Sequence, residues 1–514
     1  MIGMAQHIAV LPVLVPLIAA AVLVLLHRSP LGWRRFLSLA ATLGMGLVVA
    51  GLALAVEAQG LLVYQVGNWP SAVGIVFLAD RLSVLMLGLL VLLALASQLF
   101  AAGAREDAGG LHFHGLFQLQ LAGLAGAFLT HDLFNLFVFF EVLLAASYGL
   151  LLHGQGGERL RQGFHYVVLN LVASSLFLLA VGVFYGVLGT VNLSDLSARI
   201  AAAPTEAVPL LRAAGLLLLA VFALKGAILP LYFWLPRTYA AAPASAAILF
   251  AIMTKLGLYA LLRVYGLLAG DDAGVLSPMV GPVLFWAGAG TVLLAALGAL
   301  AAAKLRPLLG YLVVGSAGVL AMAFGLGSVQ GVAAGLFYLV HSTLAMAAFF
   351  LLADWVRRTR RGGDALERVG AMPRMAMMGG LFLVLAVAAA GLPPLGGFLG
   401  KALLLAYAEP AGQGAVLWTV VLVASFLTLL ALARAGSRLF WQGREMTDGT
   451  LPAPPPAVAE RLALLLLLTA LLGVAVQAAA LTDYVAGSAA QLAGVERYRE
   501  AVLGRMPLPT TVPN

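Results

Sequence analysis

Long apolar stretches recur along almost the whole chain, separated by short polar stretches. A membrane-spanning helix needs about 20 predominantly apolar residues, and fourteen stretches qualify as candidate spans. No stretch between them is polar and long enough for a separate soluble domain, so the pattern predicts an all-α polytopic membrane protein with about 14 transmembrane helices. In chain order these spans 1 to 14 lie near residues 8–26, 36–56, 78–101, 112–130, 132–153, 164–190, 208–236, 244–267, 276–303, 307–327, 331–353, 374–408, 413–436 and 459–481.

The basic residues of the loops give the predicted bundle a direction. With the N-terminus outside, 19 of the 29 Lys and Arg lie on the cytoplasmic side, 7 lie outside and 3 lie within the membrane. Lys and Arg accumulate in cytoplasmic loops, so we expect both termini outside the inner (cytoplasmic) membrane of a bacterium. No basic segment precedes the first apolar stretch, which is therefore expected to remain as a span rather than act as a signal peptide.

Composition narrows the class of function. The chain is 63% hydrophobic and 10% charged, against about 25% charged in soluble domains. It contains no cysteine, which excludes disulfides, iron–sulfur clusters and thiolate metal sites in this chain, so we expect no cofactor and no bound metal. The net charge of +8 resides in short loops between apolar stretches, so membrane topology explains it better than a nucleic-acid partner.

Five ionisable residues are expected near the middle of predicted spans. By a rise of 1.5 Å per residue, Glu141 in span 5, Lys225 in span 7, Lys255 in span 8 and His341 in span 11 lie near the middle of the bilayer, and Lys401 in span 12 is expected at a similar depth. Each charged group there costs about 2.5 to 3.5 kcal/mol on insertion scales. Structural ion pairing is the alternative explanation, but one glutamate cannot pair with three lysines on three helices.

The choice of lysine points to proton transfer. The chain has 25 arginines and four lysines, and three of the four lysines lie in spans. A buried ammonium can lose its proton, whereas a guanidinium cannot. The sequence therefore predicts that Lys225, Lys255 and Lys401 carry protons. For His341, a hydrogen-bonded core position and a relay position both remain open.

Other polar features receive structural interpretations. We expect His131–Asp132 to begin a helix at the interface, with ion access as an alternative, and Asp80–Arg81 to pair locally. His165 in span 6 is a weaker relay candidate. The four arginines within 357–361 are interpreted as a topology determinant, and the proline-rich segment 451–457 as a cytoplasmic linker. One short amphipathic helix is predicted after residue 483.

Two spans contain helix-breaking sequences. Span 7 contains Lys225-Gly-Ala-Ile-Leu-Pro230, and span 12 contains Gly391-Leu-Pro-Pro394 shortly before Lys401. Interrupted helices at matching positions of inverted repeats are typical of transport sites. Because the two spans are five apart, we predict two inverted five-helix repeats. The predicted divisions are 1–111 for spans 1 to 3, 112–270 and 271–440 for the two repeats, and 441–514 for the linker, last span and tail.

These residues resemble the antiporter-like family that Mrp-type multi-subunit cation/proton antiporters share with respiratory complex I. The resemblance implies a fourteen-helix core with a polar midplane axis, whose places are taken here by Glu141, Lys225, Lys255, His341 and Lys401. Many relatives have a lysine one turn after the span 11 histidine, where this chain has an alanine, so water or other polar groups must link the last two positions. The matching stretches are Asp132 to Glu141, Ala223 to Lys225, Trp234 to Pro236, Thr254–Lys255, Tyr338 to His341 and Gly391 to Lys401.

Within that family, the stretch Tyr338 to Ala345 is most similar to the D-type subunits of Mrp antiporters. The resemblance implies a proton-translocating subunit of a Na+/H+ or K+/H+ antiporter, with other membrane subunits as partners. We hypothesise that Glu141 and Lys225 form a switchable ion pair, and that the metal cation crosses in partner subunits. The alternative is a proton-pumping M- or N-like subunit of a complex I-like oxidoreductase. A third possibility, a scaffold for assembly, predicts that neutralising the lysines leaves function intact.

Overall fold

The fourteen predicted spans correspond to helices in a computed structural model, which describes residues 7–268, 277–367, 371–408, 413–442, 444–445 and 455–504. Eleven of the described helices are long and apolar enough to cross a membrane, and four shorter apolar helices supply spans 1 and 4 and the two halves of span 12. The all-α polytopic class is thereby confirmed. The spans are Leu11–Leu25, Leu31–Gln59, Arg81–Ala104, Phe113–Leu129, Leu133–Leu152, Gly157–Leu188, Val208–Lys225 with Leu235–Ala241, Ala244–Leu268, Ser277–Ala301, Leu305–Gly325, Val329–Thr359, Met375–Ala390 with Gly396–Ala406, Gly414–Gly436 and Val458–Val476.

Spans 8, 10 and 11 form the centre of the bundle. In their most apolar windows 94%, 89% and 100% of the residues are buried, compared with 28% in spans 2 and 14. An outer helix turns apolar side chains toward lipid, whereas a central helix is covered on every side by other helices. Lys255 and His341 therefore lie on two of the most enclosed helices of the protein.

Span 7 is discontinuous, as predicted. Its first half ends at Lys225, and residues 226–234 are not helical before the second half begins at Leu235. A helix that ends inside the membrane leaves carbonyl groups without intrahelical partners. Trp234 satisfies one of them, because its Nε1 donates to the Leu224 carbonyl over 3.1 Å.

Span 12 is broken between Ala390 and Gly396. Gly391 ends the first half in the left-handed region, with φ of +78°, which glycine adopts without a steric penalty. The two breaks are five spans apart, in agreement with the two inverted repeats of spans 4 to 8 and 9 to 13. The boundary predicted at 270/271 lies outside the described residues.

Short elements outside the spans were not predicted. Strands β1 (Leu62–Gln65) and β2 (Val76–Ala79) form an antiparallel hairpin between spans 2 and 3, and a helix covers Leu193–Ala201. The single helix expected after residue 483 is wrong, because two helices, Ala478–Ala493 and Val495–Leu503, follow span 14. The helical pattern is split there by Gly494, whose backbone leaves the helical region. Residues 451–454 of the expected linker lie outside the described residues.

The expected pairing of Asp80 with Arg81 is wrong. The Asp80 carboxylate caps the start of span 3, accepting from Ser83 N over 2.8 Å, and this places it against span 8. There it receives two hydrogen bonds from Arg263, at 2.5 and 2.8 Å. Arg81 turns the other way and contacts Glu57 at 2.5 Å.

Candidate functional site

Glu141 and Lys225 lie in the first repeat without forming an ion pair. Glu141 of span 5 accepts a hydrogen bond from the Ser174 hydroxyl of span 6. The Lys225 side chain is 5% exposed, and its Nζ has no hydrogen-bond partner among the described residues. It lies 4.7 Å from the centre of the Phe140 ring. The structure therefore presents the open arrangement of the hypothesised pair.

Lys255 connects the two repeats. It is 1% exposed, and its ammonium donates to the hydroxyl of Ser316 in span 10. The break of span 7 packs directly beside it, since a Cβ added at Gly257 would lie 2.5 Å from the amide nitrogen of Gly226. Only a glycine at 257 allows the backbone that follows Lys225 to approach span 8 so closely.

His341 and Lys401 both contact the broken end of span 12. The His341 Nε2 atom lies 3.1 Å from the carbonyl oxygen of Ala388, and Lys401 Nζ donates to the carbonyl of Ala390 over 2.8 Å. Lys401 also donates to the Ser425 hydroxyl over 2.8 Å. The carbonyl end of a helix carries partial negative charge, so this break stabilises positive charge without a carboxylate.

A cavity of about 50 Å³ between the helices of the second repeat, called the internal cavity below, is lined by both His341 and Lys401. Ser316, His341, Ala345, Lys401 and Ser425 are among its lining residues. A water molecule needs roughly 10 to 15 Å³ of such volume, so a few waters fit. Because the side chain of Ala345 is small, the cavity has room for the water that we predicted between His341 and Lys401.

Glu141, Lys225, Lys255, His341 and Lys401 are called the row below, and the remaining candidates make other contacts. Asp132 caps span 5, as expected, because its carboxylate accepts from Asn135 N over 2.6 Å. His165 is exposed, and its ring nitrogen Nδ1 hydrogen-bonds the Arg161 carbonyl of its own helix. In the arginine cluster, Arg358 pairs with the buried Asp354 at 2.7 Å. These contacts are structural.

Sequence reasoning missed the hydroxyl partners of the charged groups. Ser174, Ser316 and Ser425 each contact one of the five ionisable residues, and each comes from a neighbouring helix. Serine is common in membrane helices, and no spacing along the chain marks these three. Among the described residues, no group of three or more His, Asp or Glu could hold a metal ion.

Comparison with known families decides the assignment. The family described as "NADH:quinone oxidoreductase/Mrp antiporter, TM" matches residues 130–428, which is more than half of the chain and includes all five ionisable residues of the row. The chain belongs to this family. The similarity extends beyond residues 130–428, because relatives align with nearly the whole length of this chain.

Relatives within the NADH:quinone oxidoreductase/Mrp antiporter family are named as D-type antiporter subunits. One from Rhizobium meliloti, named as a probable K(+)/H(+) antiporter component, is 40% identical over 97% of this chain and 98% of its own. One from Bacillus subtilis, named as a Na(+)/H(+) antiporter component, is 33% identical over 97% and 99%. These relatives are transporter subunits rather than enzymes.

Solved structures of the same family share the fold. A chain of the Mrp complex from a Dietzia species superposes with a TM-score of 0.86 at 29% identity, covering 97% of this chain and 100% of that one. A chain of respiratory complex I from Thermus thermophilus gives 0.77 at 28% identity, covering 95% and 100%. The fold is therefore common to antiporter complexes and to a respiratory enzyme.

Proposed function

We propose that the chain is the proton-translocating, D-type subunit of a multi-subunit monovalent cation/proton antiporter. One observation carries the proposal: the three intramembrane lysines contact only neutral polar groups or, for Lys225, none, among the described residues. A buried lysine with neutral neighbours can exist with or without its proton, which an arginine cannot. Protons pass along the row Glu141, Lys225, Lys255, His341 and Lys401.

The first step is closure of the Glu141–Lys225 pair. Neither group is paired with another charge among the described residues: Glu141 accepts from the neutral Ser174 hydroxyl, and Lys225 has no hydrogen-bond partner. At about 4 Å and an effective dielectric constant of 20, the attraction is about 4 kcal/mol, enough to hold a proton on Lys225. When the pair opens, the proton moves toward Lys255, which lies beside the same break.

The second repeat continues the path. From Lys255 the proton reaches the hydroxyl of Ser316, which opens on the internal cavity. Water in that cavity connects Ser316 with His341 and Lys401. We assign Lys225 and Lys401, which each lie beside a helix break in one of the two repeats, to the two halves of the row.

Other membrane subunits complete the antiporter. The row offers one carboxylate, Glu141, and hard cations prefer several oxygen ligands, so we assign the Na+ or K+ path to partner subunits. The loop charges orient the chain with both termini outside the bacterial inner membrane. The divisions at 111/112, 270/271 and 440/441 separate the initial spans, the two repeats and the last span.

The test is cation-dependent proton flux in liposomes that contain the purified, fully assembled complex. Lys225→Ala and Glu141→Ala, with assembly intact, should abolish exchange. The matched control is Lys304→Ala, which changes the one lysine outside the spans, at an exposed position. Full exchange in either midplane variant would end the proposal.

A respiratory pumping subunit is the second candidate. It is favoured by a TM-score of 0.88, at 25% identity, to a chain of the membrane-bound sulfane sulfur reductase, an archaeal respiratory membrane complex. The same row would then work under the drive of electron transfer in other subunits. Co-purifying iron–sulfur and quinone-reducing subunits would favour this candidate, and their absence from an active complex would favour the antiporter.

A further inference from the structure

A second cavity lies at the end of the bundle where spans 6, 7 and 10 meet. This cleft has a volume of about 380 Å³, and Arg161, His165, Tyr232, Arg237 and Tyr311 are among its lining residues. Arg161, His165 and Arg237 are exposed, so the mouth of the cleft is polar and faces solvent. By the proposed orientation it opens to the cytoplasm.

Tyr311 lines both this cleft and the internal cavity. Among the residues that the structure describes, it is the one residue that lines both. Ser316, the partner of Lys255, lies five residues further along span 10, which is about 7.5 Å deeper at 1.5 Å per residue. Tyr311 therefore lies where the cleft meets the cavity shared by Ser316, His341 and Lys401.

The Tyr311 ring packs against a glycine of span 9. A Cβ added at Gly298 of span 9 would overlap the ring at Cδ1 and Cε1, so the ring lies flat against the glycine backbone. The Tyr311 hydroxyl makes no hydrogen bond to another described residue, and the side chain is only partly buried. Packing alone holds the ring, so it can swing without breaking a polar contact.

We propose that Tyr311 is a gate that controls access of water from the cleft to the internal cavity. With the ring on Gly298 the cavity is closed, and when the ring swings into the cleft a water chain reaches Ser316. This inference rests on the proposed function, because it supplies the row with its exchange of protons with the cytoplasm. Tyr311 acts by positioning water and is not itself a member of the row.

The natural chain has no cysteine, so one introduced cysteine reports water access cleanly. Ala345→Cys places a thiol in the internal cavity, at a position that is 1% exposed. The assembled complex in inside-out vesicles is treated with a small, charged, water-soluble methanethiosulfonate, and labelling of this chain is followed by mass. We expect slow labelling with Tyr311 in place, at least tenfold faster labelling with Tyr311→Ala, and slow labelling with Tyr311→Phe, which keeps the ring.

Two further variants make the result decisive. His165→Cys lies in the cleft and should label rapidly whatever residue stands at 311. Gly298→Ala displaces the ring while leaving it intact, and it should also accelerate labelling of Ala345→Cys, which covers the case in which Tyr311→Ala does not assemble. Equal labelling rates in all backgrounds, or acceleration only from the opposite face, would overturn the gate.

Labelling does not require transport, so the gate and the proposed function fail separately. Exchange that persists in Lys225→Ala would remove the proton row and leave gated labelling intact. Conversely, an inactive Lys225→Ala complex with ungated Ala345→Cys labelling would remove only the gate.

Discussion

Lys401 Nζ donates to the carbonyl oxygen of Ala390 over 2.8 Å, so the second half of span 12 reaches back to the last residue of the first half. The contact satisfies a carbonyl that the broken helix leaves without a partner. It also places an ammonium at the partially negative end of a helix, where positive charge is stabilised. Lys401 is thus part of the structure of the break, because it satisfies a carbonyl group that the break leaves without a partner.

Lys401→Arg keeps the charge at this break and should still abolish cation/proton exchange. A guanidinium can satisfy the Ala390 carbonyl, but it cannot release a proton at any physiological pH. Exchange is measured as cation-dependent collapse of a pH gradient in vesicles containing the assembled complex. The matched control, Lys304→Arg in an exposed loop, should exchange normally. An active Lys401→Arg complex would mean that charge alone matters at this position.

Gly397→Ala should disable the second repeat without touching any charge. The added Cβ would overlap the Ala388 carbonyl oxygen and lie 2.6 Å from His341 Nε2, so the histidine must leave its backbone partner. We expect at least a tenfold loss of exchange. Gly380→Ala in the same span is the control, since a Cβ there meets nothing within 4 Å. Equal activity of the two variants would show that the His341 position is not critical.

Sequence and structure agree best where a pattern is local. Apolar length predicts the spans, and a glycine followed within four residues by proline predicts both breaks, because each feature acts on the backbone of its own segment. Lys225, Lys255 and Lys401 stand out since a charge in an apolar stretch is costly wherever the helix packs. These inferences need no knowledge of which helices are neighbours.

Contacts between helices could not be predicted from one sequence. The partner of Asp80 is Arg263, 183 residues away, and the adjacent Arg81 offered a simpler pairing that the helix cap prevents. The serines that contact the row are 24 to 61 residues away in the chain from the residues they contact. Tyr311 is an ordinary aromatic residue in the sequence, and only the meeting of two cavities distinguishes it.

Ser316→Ala should slow exchange by roughly tenfold or more. The hydroxyl accepts from the Lys255 ammonium, and a hydrogen bond to a charged group contributes about 1.5 to 3 kcal/mol, with each 1.36 kcal/mol equal to about tenfold in rate. The initial rate of proton flux in liposomes measures the effect. Ser175→Ala, at an exposed serine that bonds only its own helix, should match the natural complex. No difference between the two would remove Ser316 from the path.

Between about pH 4 and 6, the titration of His131 and the titration of Asp132 should change the free energy of unfolding in opposite directions. Burial, helped by the charge of Arg263, lowers the pKa of His131 from 6.5 to about 3, so its contribution to stability is complete above pH 6.5 and is lost as pH falls. Burial raises the pKa of Asp132 from 3.8 to about 6, so its contribution is complete below about pH 4 and is lost as pH rises through 6.

In the natural chain, the two groups therefore change the free energy of unfolding in opposite directions. Each contributes a slope of about 1.4 kcal/mol per pH unit. In His131→Gln only Asp132 of the two still titrates, so the thermal unfolding midpoint of the purified complex should fall as pH rises from 4 to 6. Asp132→Asn keeps a side chain that can cap span 5 and leaves the histidine alone, so its midpoint should rise over the same range. Parallel pH profiles for the two variants would contradict the burial of this pair.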